Sequence, residues 1–466
     1  MKRIKIFNIA ALIASVMLLG SCSDFLDINH DPNNPSDADP RLILPSGLAN
    51  TAFVVGGYYH ALGSFWTQQY AQAPAASQWA DWESYNLTQD DFDRQFILLY
   101  SGCQYDYQYI RNKTAETGNW RFYAIATLMQ AYTFQVLADL YDQIPFTEAL
   151  RGTITPPHYD EGELVYDSLL ARIDNAMSKD FKAATAEDPS STDLIFGGNM
   201  DDWKAFANTL KLKIYLRYVN VDSNRYETEI KALLAENNFL TKDAKFTSFK
   251  EEETGYNPFY NTFVDRLAGN VVANKTIVDS LESKNDPRLG VFFKASAVGS
   301  QLKGIATGDN KNHPTETINN YSTPALGKTD PVYFFSKEEV LFLIAEAQAR
   351  YGTASDAENT YKSAIQASLT SLGLPADAIN IDATYPYNGI QSIIEQKWIA
   401  QTNKNGIEAF FDYNRTGFPD FFTRSLTSVL SGDQRPKRLY FPSREVNSNP
   451  YTPTRVAITV PVWWAK

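Results

Sequence analysis

A large, predominantly helical protein is predicted from three stretches of this 466-residue chain. The first is NWRFYAIATLMQAYTFQVLADLYDQIPFTEAL, residues 119–150, which carries no charged side chain from Phe122 to Ala138. Its apolar residues return at helical spacing, as Ile125, Leu128, Met129, Tyr132, Val136 and Leu140, which predicts a helix buried on most of its sides. Pro145 lacks an N–H and disfavours helix at Ile144, so the helix ends there. Thr127, Gln130, Thr133 and Gln135 would each need a partner in lipid, so the stretch is a core helix rather than a membrane span. The second stretch is 336–373. Ser336 with Glu339 and Ser355 with Glu358 have capping-box spacing, and Gly352 and then Gly373 with Pro375 supply the stops. Two helices joined by a tight turn follow. The third stretch, 296–330, is rich in Gly, Thr, Asn and Pro and is predicted as loops.

The N-terminus reads as an address. Lys2, Arg3 and Lys5 precede a short apolar run from Ile9 to Leu19, the pattern of a secretory signal over residues 1–21. It ends at Leu19-Gly20-Ser21-Cys22, which resembles a bacterial lipobox. The Cys22 thiol would take a diacylglycerol as a thioether, and acyl chains gain about 0.8 kcal/mol per buried CH₂, so several hold a protein on a membrane. Cys103 is then left without a partner and is expected as a buried, inert thiol. Residues 22–40, rich in Asp, Asn and Pro, form an extended tether. Asp24 and Asp27, just past the cysteine, resemble a short signal for outer-leaflet display. Asp31, Asn33, Asp37 and Asp39 lack the Gly and distal Glu of a calcium loop and read as solvated linker. Residues 41–466 are expected to form one domain.

The formal charge is −12, and no Lys/Arg run offsets it; nucleic acid, which needs a basic surface, is excluded as a partner. Aromatic residues are abundant and concentrate in residues 53–123, which hold 18 in 71, among them Trp66. On Asp90–Arg111, Phe96, Leu99, Tyr100 and the Tyr105/Tyr109 pair fall at helical spacing and are expected in the core. The run Trp79, Asp81, Trp82, Glu83 and Tyr85 lies between polar stretches and is predicted as a loop. Rings beside Asp, Gln and Asn suit sugars, stacking on the C–H face while polar groups bond hydroxyls. Residues 241–265 show no clean period, and within them Tyr256, Asn257 and Tyr260 make a second aromatic-polar loop. Candidate ligand contacts are therefore Trp66, Trp79, Asp81, Trp82, Tyr85, Tyr256, Asn257 and Tyr260. The competing reading of the first loop is that its tryptophans pin it to the body.

Further helices are expected over 161–180 and 201–220, and Asn285-Asp286-Pro287 is a helix stop. Glu346, inside an apolar helix, is expected to be a packing carboxylate bonded to neighbouring backbone, and Arg415 to pair with Asp412 one turn earlier. No metal or cofactor motif is present: the four histidines, His30, His60, His158 and His313, are widely spaced.

Several segments together resemble the SusD/RagB family of outer-membrane nutrient-binding lipoproteins. They are LADLYDQIPFTEAL, IFGGNMDDWKAFANTLKLKIYLRY (195–218), Asp286-Pro287-Arg288-Leu289, EEVLFLIAEAQARYG, residues 393–420, residues 438–450, and Val462-Trp463-Trp464. The resemblance implies an all-α fold, with tetratricopeptide-like helical hairpins packed against an irregular, loop-rich half. The length of the 336–373 hairpin agrees with it. It also implies a lid that sits, anchored by its N-terminal lipid, over a TonB-dependent, SusC-like transporter barrel in the outer membrane. Such a lid captures oligosaccharides, or in some members peptides, and carries no catalytic residue or cofactor. These segments are fold signatures and bring no ligand residue with them. Two other functions compete: a helical glycoside hydrolase using Asp81 and Glu83 as its carboxylate pair, and a scaffold that binds the transporter but no nutrient.

Overall fold

The computed structural model of the protein describes residues 38–465. Cys22 and the tether positions Asp24, Asp27, Asp31, Asn33 and Asp37 lie outside the described residues. Twelve α-helices of seven or more residues make up the body among the described residues. In chain order they are α1 Pro40–Val54, α2 His60–Trp66, α3 Tyr105–Thr117, α4 Trp120–Tyr141, α5 Gly162–Met177, α6 Met200–Arg217, α7 Glu227–Glu236, α8 Lys275–Glu282, α9 Lys337–Tyr351, α10 Ala354–Ser371, α11 Gly389–Ala400 and α12 Gly406–Thr416.

The uncharged stretch is α4, and every residue from Ala124 to Tyr141 is buried. Its polar groups are met inside the protein. Thr127 and Thr133 hydroxyls donate to carbonyls one turn back, and Gln130 Oε1 accepts from Arg111 at 2.6 Å. The helix stops at Asp142, whose φ is +68°, and the chain leaves as Ile144–Pro145. α3 and α5 flank α4, and α6 packs on both α4 and α5. No helix among the described residues is long and apolar enough to cross a membrane.

α9 and α10 form the predicted hairpin, and α11 packs against both. They enclose a satellite core of Phe342, Tyr361, Ile365, Leu369 and Ile393. The caps differ from expectation in two details. Ser336 Oγ accepts from Glu339 N, but the Glu339 carboxylate is buried 3.8 Å from Lys213 Nζ instead of returning to the cap. α10 starts two residues earlier than predicted, on Thr353, whose hydroxyl accepts from Asp356 N at 3.1 Å.

The expectation for Tyr105 fails: it is 58% exposed, while Tyr107 and Ile110 are buried. A π-helical turn over Leu99–Gln104 widens the helix between Phe96 and α3 and rotates the following residues off the 3.6-residue period. Cys103 is buried with a free thiol, and burial pushes its pKa up to about 12.

The strands are short, two-stranded and antiparallel. β1 Tyr70–Gln72 pairs with β5 Val271–Ala273, β2 Ile144–Pro145 with β3 Tyr159–Asp160, β4 Ala244–Phe246 with β8 Val332–Phe335, and β6 Phe293–Lys294 with β7 Thr323–Pro324. The β1–β5 pair carries the functional geometry, because it ties the segment before Trp79 to the segment after Tyr260. α2 and α12 meet backbone to backbone: a methyl group on Gly63 would overlap the Gly406 carbonyl. His60 Nδ1 accepts from Gly406 N at 2.8 Å, and burial holds this ring down at about pKa 3, neutral and able to accept.

Candidate functional site

The two aromatic-polar stretches predicted as separate loops meet in space, but most of their rings face inward. Trp66 and Trp82 are each 4% exposed, as is Trp79, and Tyr85 is 3% exposed. Residues 80–84 form a short helix closed by Tyr85 at φ +61°. Trp79 packs on Trp82 with centroids 4.5 Å apart and on Phe263 at 4.8 Å. Trp82 also meets Phe65 edge-on at 5.9 Å and Phe92 at 5.4 Å. Trp66 donates from Nε1 to the Trp82 carbonyl at 3.0 Å. The expectation of exposed stacking rings at these four positions is therefore corrected. Phe65, Phe92, Phe263 and Tyr58 surround Trp79 and Trp82, and Trp66 packs on Phe410 at 4.8 Å; an aromatic ring gains more from such burial than from an open face. Asn257 is corrected for the same reason. It is 2% exposed; its Nδ2 donates to Asp330 O and its Oδ1 accepts from Phe259 N and Tyr260 N, which caps the following turn. Asp81 stays exposed, and Tyr256 and Tyr260 are half-buried, 5.5 Å apart and edge to face, with Lys328 Nζ 4.9 Å over the Tyr256 ring.

The buried cluster lies behind a surface cavity of about 160 Å³ and touches it through Tyr58. Its walls include Phe53, Tyr58, Arg94, Gln95, Thr262 and Arg266. Tyr58 joins the wall to that cluster, edge-on to Trp79 at 6.0 Å and to Phe263 at 5.5 Å. Phe53 is 46% exposed on the rim. The Arg94 and Arg266 side chains have no hydrogen bond or ion pair among the described residues, and Gln95 Oε1 is buried without a protein partner. Apolar ring surface thus stands beside two free cationic forks, a combination that orients a polyhydroxylated ligand.

Three π-helical turns border this cavity. Val55–Tyr59 carries Tyr58, Tyr260–Arg266 carries Thr262 and Arg266, and Leu99–Gln104 starts next to the wall residue Leu98. Turns of this kind occur mostly as single bulges, frequently at functional sites. Sequence reasoning missed Phe53, Tyr58, Arg94, Gln95, Thr262 and Arg266. The available signal was Phe53, a large apolar residue that opens the aromatic-rich region yet turns outward from α1.

The proposed carboxylate pair does not form a catalytic site. Glu83 is 1% exposed, and its two oxygens accept from Gln72 N at 2.8 Å and Gly308 N at 2.9 Å. Burial pushes its pKa up to about 8, against the pull of those two amides. It joins two backbone segments and opens into no cleft, while Asp81 points to solvent. Glu346 is also internal, though its partners are the Arg415 and Arg350 guanidiniums rather than backbone. Arg415 does pair with Asp412, at 3.0 Å. No cluster of metal-ligating residues exists among the described residues.

A family model described as starch-binding and associating with the outer membrane matches residues 43–442. The chain belongs to the SusD-like family. Solved structures agree on the fold. A SusD homologue from Bacteroides uniformis is 23% identical with a TM-score of 0.76, covering 92% of this chain and 98% of its own. A SusD/RagB family protein from Bacteroides thetaiotaomicron is 21% identical with a TM-score of 0.76, over 92% and 99%. A chitin-binding SusD homologue from Flavobacterium johnsoniae is 22% identical with a TM-score of 0.75, over 92% and 97%. No curated protein matches. The SusD-like fold is the helical, tetratricopeptide-like one expected from the sequence segments, and the family is described by binding rather than by catalysis.

Proposed function

We propose that this SusD-like protein is a cell-surface nutrient-binding lipoprotein, held in the outer membrane by acylated Cys22, that captures oligosaccharides and passes them to a TonB-dependent transporter. The observation that carries the reading is the cavity bordered by three π turns, where Phe53 and Tyr58 offer ring faces beside unpaired Arg94 and Arg266. Its volume is below the roughly 300 Å³ at which small-molecule pockets usually begin. It therefore receives one sugar of a chain whose neighbours run over the surface. The family description and the chitin-binding relative support carbohydrate as the ligand class. The test is calorimetry on the full chain in mild detergent against starch, chitin and plant-wall oligosaccharides. Saturable heat with one glycan class, weakened at least tenfold by Phe53→Ala or Arg266→Ala, is the expected result. Heat unchanged in both variants would remove the site.

A peptide ligand is the second reading, favoured by a separate cavity of about 560 Å³ with mostly apolar walls that include Phe96, Ile97, Tyr105, Ile154 and Pro156. Saturable heat with mixed peptides and none with glycans would select it.

A further inference from the structure

In a chain of formal charge −12, three arginines converge on one cavity of about 480 Å³. Arg111 comes from α3, Arg172 from α5, and Arg151 from the segment between β2 and β3. No acidic side chain lines the cavity among the described residues, and none of the three guanidiniums is in an ion pair. The cavity shares no wall residue with the one beside Phe53.

Neutral groups hold two of these cations in place. Arg111 donates to Thr127 Oγ1 at 3.0 Å, to Gln108 Oε1 at 3.0 Å and to Gln130 Oε1 at 2.6 Å. Arg172 reaches the same Gln130 oxygen at 3.4 Å, so one carbonyl gathers both guanidiniums. The Arg172 guanidinium lies 4.0 Å over the Phe146 ring and 5.9 Å from Phe134, which fixes its plane and leaves most of its N–H edge unbonded. The carboxylate on this side, Asp160, is already engaged: it accepts from Phe146 N, Thr147 N and the Thr147 hydroxyl. Burial, and then the charges of Arg111 and Arg151, push the Arg172 pKa down to about 10. The arginines repel one another, and the more distant Asp160 charge offsets this only in part.

We propose that this cavity is an oxyanion-binding site, which takes a carboxylate or sulfate group between Arg111, Arg151 and Arg172. Two guanidinium forks offer the paired N–H geometry that planar oxyanions accept. The volume lies within the ordinary range for a small-molecule pocket, large enough for an anion carried on a sugar-sized body. Thr153 and Asn112 on the walls add polar contacts for such a body. The ligand class is an acidic saccharide, such as a uronate or a sulfated sugar, or the free oxyanion itself. The inference is independent of the neutral-glycan reading, because the two cavities are separate.

The test titrates the full chain, in mild detergent at low ionic strength, with glucuronate, sodium sulfate and glucose. Folding of each variant is checked by circular dichroism. Arg151→Gln is the principal variant, since Arg151 is exposed and its loss leaves the core intact; Arg111→Gln is the second. Saturable glucuronate binding, at least tenfold tighter than glucose and weakened at least fivefold in either variant, is the expected result. Sulfate binding as tightly as glucuronate assigns the site to a free oxyanion; sulfate binding more weakly assigns it to a sugar-borne one. Absence of saturable binding by either anion overturns the proposal. So does glucose matching glucuronate, or both folded variants binding like the wild type.

Discussion

Trp79 and Phe53 sit within one structural neighbourhood and have opposite roles. Trp79 is 4% exposed and packed among Trp82, Phe263 and Tyr58; truncation to alanine leaves a cavity and is expected to cost about 3–5 kcal/mol in denaturant unfolding. Phe53 is 46% exposed, and Phe53→Ala is expected to change stability by no more than about 0.5 kcal/mol while weakening ligand binding. Comparable destabilisation by the two would contradict the division into buried support and exposed rim. Glu83 gives a second test. Its folded pKa, about 8, lies above the ordinary carboxyl value, so the folded state holds a proton that the unfolded state releases. Its contribution to stability is therefore complete below about pH 4.5 and is lost as pH rises through 8. The wild type is expected to lose stability over that window relative to Glu83→Gln, measured by urea unfolding at a series of pH values; parallel profiles would show that the two amides keep Glu83 ionised.

The elements were legible in the sequence where period and punctuation agreed. The uninterrupted apolar period of α4 and its stop at Pro145, and the glycine stops of the α9–α10 hairpin, are local signals, and the helices lie where those signals place them. Thr353 with Asp356 and Ser355 with Glu358 offer the same cap chemistry two residues apart, and local pattern does not rank them. The three π turns were not legible, because a widened turn leaves no sequence mark; Val55–Tyr59 and Leu99–Gln104 each interrupt a run of α-helix, and Tyr105 faces outward as a result of the second. Buried ion pairs also join elements remote in sequence. Glu346 of α9 meets Arg415 of α12, and Glu408 of α12 meets Lys213 and Arg217 of α6. Burial opposes the charge on Glu346, but Arg415 and Arg350 hold its pKa down at about 2. Its stabilising effect is thus present above the ordinary carboxyl pKa and lost as pH falls toward 2. Glu346→Gln takes from Arg415 one of its two buried carboxylates, leaving Asp412, and is expected to cost about 3 kcal/mol near neutral pH, the low end for a broken buried pair, read by thermal or urea unfolding. A variant as stable as the wild type would mean that water reaches the pair.

At the scale of the whole molecule, relatives near 22% identity keep the fold over more than nine-tenths of this chain. Helical period, caps and close glycine contacts specify such a fold, and many side chains satisfy them. A ligand site depends instead on which rings and charges remain open after the core has formed. That outcome was only partly legible: the aromatic-polar stretches around Trp79 and Tyr256 come together beside the proposed site, but burial of the tryptophans depends in part on Phe263, far away in sequence. The fold then brings the exposed remainder, Phe53, Tyr58, Arg94 and Arg266, into one cavity. The most direct test is a crystal structure of the protein with an oligosaccharide that it binds in calorimetry. One sugar ring against Phe53 and Tyr58, with hydroxyls on Arg94 or Arg266, is the predicted result. A glycan seated elsewhere, for instance in the 390 Å³ groove beside Tyr385 and Phe421, with the Phe53 cavity empty, would contradict the assignment.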